Sequence, residues 1–467
     1  MRRLLQGAYT LLTGGLFMSC LPPFFIYTRL SGRYGENLRD RLGYVPAHLS
    51  KKLSGSPRIW IHAVSLGEVK VAAPIIQALR RIIPGCSVIL STTTEHGRSL
   101  ARQTFGDDVP VVYAPVDFVA SVRRALSRVR PDILVFLETE IWPAWLAEAR
   151  RRGIKTALIN GRISARSIRG YLKFRPFFRE VLANVDAFSM ILRVDADRIR
   201  AMGADPGRIQ ANGNAKYDLL VSLADPAVAL KMRQILNLEN GQRVFIAGST
   251  RKGEEASVLE AYERILRAFS DTILILAPRH IGRIPAIASL VERRGFRYQR
   301  WRELARPGVK RSTPVVIIDT YGALFNLYSV GTIVFCGASL VPLGGQNPLE
   351  AAVWGKVVFY GPSMENFLDA KALLEKAGGG VPVSSPIHLA EQAIWFLRHP
   401  DALERHGAKA RQAVMKNQGA AYKHAEVIRS LVFSKNGTTM PVESESLAPA
   451  SNYSFCGQWP PSRSSTK

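Results

Sequence analysis

At 467 residues, 47% hydrophobic and with 37 glycines, the chain can bury a large core and is sized for two ordinary domains, which excludes an intrinsically disordered protein. Its formal charge of +26 favours acidic partners. No zinc-ligand spacing, RNP-like aromatic motif or basic heptad helix accompanies that charge, so anionic lipid and phosphorylated substrates fit it as well as nucleic acid does.

The chain opens with Arg2-Arg3 and an apolar run from Leu4 to about Tyr27, broken by Gly14-Gly15 and Pro22-Pro23 and followed by Arg29, Arg33, Arg39 and Arg41. The run is long enough to enter a bilayer, and it is read as an uncleaved anchor over residues 1–30 that spans the bilayer or inserts shallowly. Cys20, Cys86, Cys336 and Cys456 lie far apart with no C-x-x-C pair, which suits reduced core thiols.

From Arg58, short apolar runs alternate with helical patterns: Ile59-Trp60-Ile61, Val88-Ile89-Leu90, Val111-Val112-Tyr113, Ile133-Leu134-Val135-Phe136 and Thr156-Ala157-Leu158-Ile159. A second series follows, with Val244-Phe245-Ile246-Ala247, Ile273-Leu274-Ile275-Leu276, Val315-Val316-Ile317-Ile318, Ile333-Val334-Phe335-Cys336 and Val357-Val358-Phe359-Tyr360. Continuous apolar runs of this length between amphipathic segments predict parallel sheets covered on both faces. The predicted fold class is therefore α/β, with two doubly wound Rossmann-like domains facing a cleft. The domains are drawn at residues 31–220 and 221–433, and residues 434–467, rich in Ser, Pro, Thr and Asn, are read as a disordered tail.

Candidate chemistry gathers where strands end. Glu68 follows the first strand at the start of a helix, where its carboxylate either takes a proton from an incoming hydroxyl or favours the helix dipole. Glu138, in Glu138-Thr139-Glu140-Ile141-Trp142-Pro143, follows the strand that begins at Ile133, and Lys216 lies in Gly213-Asn214-Ala215-Lys216-Tyr217-Asp218 at the domain junction. Asp195-Ala196-Asp197 opens a helix toward Met202.

In the second half, Gly248-Ser249-Thr250-Arg251-Lys252-Gly253 and Pro278-Arg279-His280 close strands with phosphate-binding residue types. Gly344-Gly345-Gln346-Asn347-Pro348-Leu349-Glu350 reads as a glycine turn that lets the backbone approach a ligand. Asn347 is the expected N-cap and Pro348 the first helical residue, and Asn347 with Glu350 also fits an ordinary capping box. None of these is a Walker loop or a dinucleotide fingerprint, and no His or Cys cluster has metal-ligand spacing, so no metal is expected.

Taken in order with His62-Ala63-Val64-Ser65-Leu66-Gly67-Glu68 and Arg162-Ile163-Ser164-Ala165-Arg166-Ser167, these motifs closely resemble the 3-deoxy-D-manno-octulosonic acid (Kdo) transferases of lipopolysaccharide synthesis, which have a GT-B fold. The resemblance implies an inverting glycosyltransferase moving Kdo from CMP-Kdo to lipid IVA, the tetraacyl lipid A precursor, at the cytoplasmic face of the bacterial inner membrane. It implies Glu68 as general base, and Glu138 and Lys216 as groups stabilising the transition state. It also implies contacts to CMP from Pro278, Arg279, Tyr321, Gly322, Ala323, Asn347, Pro348, Leu349 and Glu350. CMP-Kdo is the donor substrate, so no cofactor is implied; the implied partners are the lipid A precursor and an anionic membrane, with no nucleic acid. Ala323 stands where relatives can carry a glutamate, and Gln346 where a histidine is common. Two other readings of the residues are a GT-B lipid glycosyltransferase or epimerase that uses a diphosphate sugar, and a non-catalytic basic protein that binds membranes or nucleic acid.

Overall fold

The computed structural model describes residues 38–46, 48–49 and 53–434. The expected anchor and nearly all of the expected tail lie outside them, and no helix among the described residues is long and apolar enough to cross a membrane. The chain divides into two compact units, residues 38–219 with 418–434, and residues 220–417.

Seven parallel strands build the first unit: β1 (Arg58–His62), β2 (Ser87–Thr92), β3 (Val111–Tyr113), β4 (Ile133–Leu137), β5 (Lys155–Gly161), β6 (Ala187–Met190) and β7 (Ile209–Ala211), in the order β3-β2-β1-β4-β5-β6-β7. Alternation along each strand divides the core in two. Ile59, Ile61, Ile133, Val135 and Leu137 point to one face, where the helix Leu66–Ile82 packs. Trp60, Leu134 and Phe136 point to the other, under the helices Val119–Val129 and Pro143–Arg151. Central strands so enclosed must be apolar at every position, which is why their runs are continuous.

The second unit repeats the plan with β8 (Val244–Thr250), β9 (Ile273–Pro278), β10 (Tyr298–Arg300), β11 (Val315–Ile317), β12 (Ile333–Cys336), β13 (Val358–Tyr360) and β14 (Gly380–Pro382), all parallel, in the order β10-β11-β9-β8-β12-β13-β14. Phe245, Ala247, Leu274, Leu276, Phe335 and Phe359 meet the helices Glu254–Ala268, Ile284–Arg293 and Pro386–Arg398 in one core.

Chain order departs from domain order at the end. The helix Ala420–Phe433, which the sequence assigns to the second domain, packs on Leu66–Ile82 and belongs to the first unit. Ala421, Ala425 and Ile428 join the core of Ile59 and Ile61. The boundary drawn at residue 433 is corrected accordingly: its last helix covers a face of the first sheet that would otherwise be open to water.

The strand order reverses between β1 and β4 in the first sheet and between β8 and β12 in the second, where β10 and β11 are also exchanged at the edge. In doubly wound sheets the carboxyl ends of the strands flanking such a reversal are where ligands lodge. Four non-glycine residues with left-handed backbone stand at or just past carboxyl ends of strands: Glu138 (φ 54°), Asn160 (φ 53°), Ser249 (φ 57°) and Ala338 (φ 58°). A non-glycine residue holds that conformation only when its surroundings over-determine it, and such residues concentrate at functional sites.

Candidate active site

In the first unit, Glu68 and Glu138 follow the two strands that flank the reversal. Glu68 lies in the first turn of Leu66–Ile82. Its Oε2 accepts from the Val64 N–H at 2.8 Å and its Oε1 from the Ser65 hydroxyl at 3.2 Å. Those bonds and the helix dipole stabilise the carboxylate, yet burial outweighs them. With 7% of the residue exposed and Glu140 and Glu138 adding like charge, the Glu68 carboxyl is pushed up to about 7. Glu68 thus occupies the dipole-favoured position and still holds a proton affinity suited to proton transfer near neutral pH.

Glu138 takes its left-handed turn immediately after β4. Its N–H donates to the Ile159 carbonyl at 3.1 Å and its own carbonyl accepts from Arg162 N–H at 3.3 Å, which fix the turn from β5. The turn presents the carboxylate to Lys216, whose Nζ donates to Glu138 Oε1 at 2.7 Å. Both side chains retain exposure, 40% for Lys216 and 22% for Glu138, so the pair adds at most about 1 kcal/mol to stability. Its consequence is positional: the ammonium is held at the strand ends.

Two further side chains shape this edge. Glu140 accepts from Trp142 Nε1 at 2.6 Å, and burial raises its carboxyl as well. The sequence motif displays Glu140 but not its effect on Glu68. His62, the last residue of β1, is packed against Trp142 and Trp145 with ring centroids 5.1 and 5.3 Å away, and burial lowers it to about 4. It is a neutral core histidine with Nδ1 3.0 Å from Ser91 Oγ.

In the second unit, the four adjacent strands β11, β9, β8 and β12 bring the expected nucleotide-binding segments to one edge of the sheet. Pro278 ends β9, and Arg279 is exposed just beyond it, its N–H donating to the Thr250 carbonyl at 3.0 Å. Tyr321 is 46% exposed, and Gly322 (φ 89°) opens the helix Ala323–Leu327.

The turn at 344–350 differs from expectation in two ways. The helix is Leu349–Ala352, with Pro348 rather than Asn347 at the capping position; Asn347 Oδ1 instead accepts from Leu349 N–H at 3.2 Å. The glycine pair answers to internal packing: both residues are buried with positive φ, and a Cβ on Gly345 would stand 2.3 Å from Met364 Sδ, one on Gly344 2.1 Å from Asn366 Nδ2. Glu350 lies close enough to the Tyr328 hydroxyl and the Cys336 thiol that its charge adds to burial in raising both.

The sequence also misplaces the anion of the loop after β8. Glu254, fully buried, receives backbone N–H groups from Arg251 at 2.9 Å, Ala338 at 2.6 Å, Ser339 at 2.9 Å and Leu340 at 3.0 Å. An internal carboxylate therefore fills the amide cluster of residues 338–340 and ties the loops after β8 and β12 together. From sequence it looks like any acidic residue in a first helical turn. Glu255 beside it is held by Arg283 in a two-pronged pair at 2.6 and 2.9 Å.

A family model described as 3-deoxy-D-manno-octulosonic-acid transferase (kdotransferase) matches residues 36–219. The chain is 29% identical over 420 residues to 3-deoxy-D-manno-octulosonic acid transferase of Haemophilus influenzae, covering 89% of this chain and 96% of that protein. It is 29% identical over 436 residues to the protein of that name from Bordetella pertussis, covering 91% and 98%. In fold it is similar to UDP-GlcNAc 2-epimerase from Neisseria meningitidis, with a TM-score of 0.57 over 80% of this chain and 99% of that one at 14% identity. With two parallel α/β units of GT-B-like fold, a family match over residues 36–219 and these relatives, the chain is a glycosyltransferase similar to the Kdo transferases over most of its length.

Proposed function

We propose that the protein transfers Kdo from CMP-Kdo to lipid IVA, the lipid A precursor, by a single inverting displacement without a metal ion. The acceptor hydroxyl attacks the anomeric carbon of Kdo and gives its proton to the Glu68 carboxylate. The bond between that carbon and the phosphate oxygen breaks, and its electron pair leaves on CMP. Lys216, held by Glu138, stabilises the transition state. Arg279, Pro278, the backbone of residues 321–323 and residues 347–350 hold CMP, with the Arg279 guanidinium on the phosphate and the Glu350 carboxylate on the ribose. CMP carries one phosphate, so a guanidinium and backbone N–H groups are sufficient to stabilise its departure.

The observation that carries this reading is Glu68 itself: a carboxyl at the reversal of the first sheet, raised to about 7 by burial. A general base works best when its proton affinity is close to the operating pH. The names of the relatives support the sugar transferred. The apolar run at residues 4–27 and the charge of +26 support work on an anionic membrane, with residues 1–30 as anchor and both units on the cytoplasmic face of the bacterial inner membrane.

The test is the pH dependence of kcat/KM for CMP-Kdo. The acid limb is expected near pH 7 and to move to lower pH in Glu140→Gln, which removes a like charge beside Glu68. A limb in the ordinary carboxylate range, unmoved in Glu140→Gln, contradicts the assignment. Product NMR should show the anomeric configuration inverted from that of the donor.

A further inference from the structure

The residues on either side of Lys216 are fastened to the helix Ala420–Phe433, the last among the described residues. Asp218 Oδ1 accepts from Gly419 N–H at 2.7 Å and Oδ2 from Ala421 N–H at 3.1 Å, capping the helix Ala420–Phe433 across more than 200 residues of sequence. On the other side, the Gly213 carbonyl lies 3.2 Å from His424 Nε2, and His424 Nδ1 lies 2.7 Å from Ser189 Oγ. Asn212 Nδ2 donates to the same Ser189 oxygen at 2.7 Å. One assignment satisfies the whole set: His424 is neutral with its proton on Nε2, donating to Gly213, and Ser189 donates to Nδ1 while accepting from Asn212. His424 is fully buried, and burial lowers it to about 4, which keeps it in that neutral form at physiological pH.

Between these two fastenings the loop has little freedom. Ala215 is fully buried in the same core as Ala421 and Ala425, and its N–H donates to Asn160 Oδ1 at 2.9 Å from the end of β5. Gly213 has φ 94°, and a Cβ there would approach the Ala420 methyl to 3.2 Å. Lys216 is the first residue after this clamp, and its backbone N–H donates to Asn214 Oδ1 at 3.0 Å. Its ammonium then reaches Glu138 Oε1 at 2.7 Å. The partly exposed Glu138 contact orients the ammonium, and where that ammonium stands then depends on the backbone that carries Lys216.

We propose that Asp218 and His424, through the C-terminal helix, are positioning residues that set where the Lys216 ammonium stands during transfer. The inference rests on the reading of Lys216 as a transition-state contact. Neither residue touches substrate; both act by fixing the backbone on which Lys216 is mounted. The C-terminal helix is thereby part of the transfer machinery as well as a cover for the first sheet. A displacement of about 1 Å at a reacting group can cost up to about 100-fold in rate, so loosening one fastening is felt in kcat.

The test is a kinetic double-mutant cycle on the full-length chain with CMP-Kdo and lipid A precursor. Asp218→Asn keeps the shape and loses the charge at the helix start; Ser189→Ala removes only the oxygen that orients His424 and serves as the second route should Asp218→Asn fail to fold. Each should lower kcat roughly tenfold while KM for CMP-Kdo stays within about twofold, because the donor is held by the other unit. In the Lys216→Ala background, itself down about 100-fold or more, the same substitutions should cost less than about twofold. An equal loss in both backgrounds would show a general structural effect and overturn the inference. If Lys216→Ala alone keeps near-normal kcat, the role given to Lys216 is wrong and the inference falls with it, which separates the two failures.

Discussion

Replacing Glu68 by Gln should make the protein more stable and abolish its activity, with a pH dependence that follows from one buried carboxyl. A carboxyl that titrates at about 7 instead of 4.5 holds its charge in the folded state at a cost of roughly 3 kcal/mol, at about 1.36 kcal/mol per tenfold change in proton affinity. The folded protein keeps this proton to higher pH than the unfolded chain does. Stability therefore falls as pH rises from about 4.5 to about 7, and the full cost is present above that window. The amide introduced by Glu68→Gln carries no charge and can keep both local contacts, its oxygen accepting from Val64 N–H and its NH2 donating to Ser65 Oγ. With about 1 kcal/mol deducted for weaker hydrogen bonds, Glu68→Gln should be nearly neutral at pH 5 and about 2 kcal/mol more stable than wild type at pH 8. The assay is a series of denaturant titrations of both proteins between pH 5 and pH 8, followed by tryptophan fluorescence. A difference that does not grow with pH, or a Glu68→Gln variant less stable than wild type at pH 8, would refute the claim that burial controls this carboxyl.

Arg279→Ala should weaken CMP binding about tenfold or more by calorimetry, since it removes a charged donor from the proposed phosphate contact; unchanged affinity would take Arg279 out of the site. Treatment with a divalent-metal chelator should leave the initial rate of transfer within about twofold, because the proposed chemistry stabilises a single phosphate with guanidinium and backbone groups; a strict requirement for added metal would overturn the metal-free displacement. Removing residues 1–30 should preserve CMP affinity but reduce vesicle co-sedimentation and transfer to membrane-presented acceptor, most at high salt, where screening weakens attraction between the basic surface and anionic lipid. Equal binding and transfer at high salt would show that this segment is not the anchor.

The parts of the fold legible in the sequence are those whose burial leaves a single physical explanation. Ile133 to Phe136 and Ile273 to Leu276 are apolar at every position because helices cover both faces of their sheets, and each proves to be a central strand. By contrast, β7, β10 and β14 are three-residue edge strands without a fully buried run, and Ile209, Tyr298 and Gly380 carry no pattern that separates them from loops. The sequence places the helix Ala420–Phe433 in the wrong unit because its partners, Asp218, Ser189 and the core of β1, lie more than 200 residues away and its local sequence says nothing of them.

The candidate site divides in the same way. Glu138 and Arg279 stand out because a charged residue directly after an apolar strand needs an explanation, and Glu68, in a first helical turn, stands out only through the motif His62 to Glu68 that leads into it. Glu254 does not, since an acidic residue in a first helical turn already has one; only the three-dimensional structure shows amides from the loop after β12 converging on it. The glycine pair 344–345 reads in sequence as making room for a ligand, whereas the space is taken up by Met364 and Asn366.

The most direct measurement is the mass of the product formed when purified protein is given CMP-Kdo and the tetraacyl lipid A precursor, with wild type and Glu68→Gln side by side. The account predicts that wild type converts the precursor to a species heavier by one or more Kdo residues, and that Glu68→Gln binds CMP with normal affinity but forms that species at least about 100-fold more slowly. Undiminished product from Glu68→Gln, or a wild-type protein that leaves the precursor unchanged with CMP-Kdo while using a sugar diphosphate donor, would contradict it.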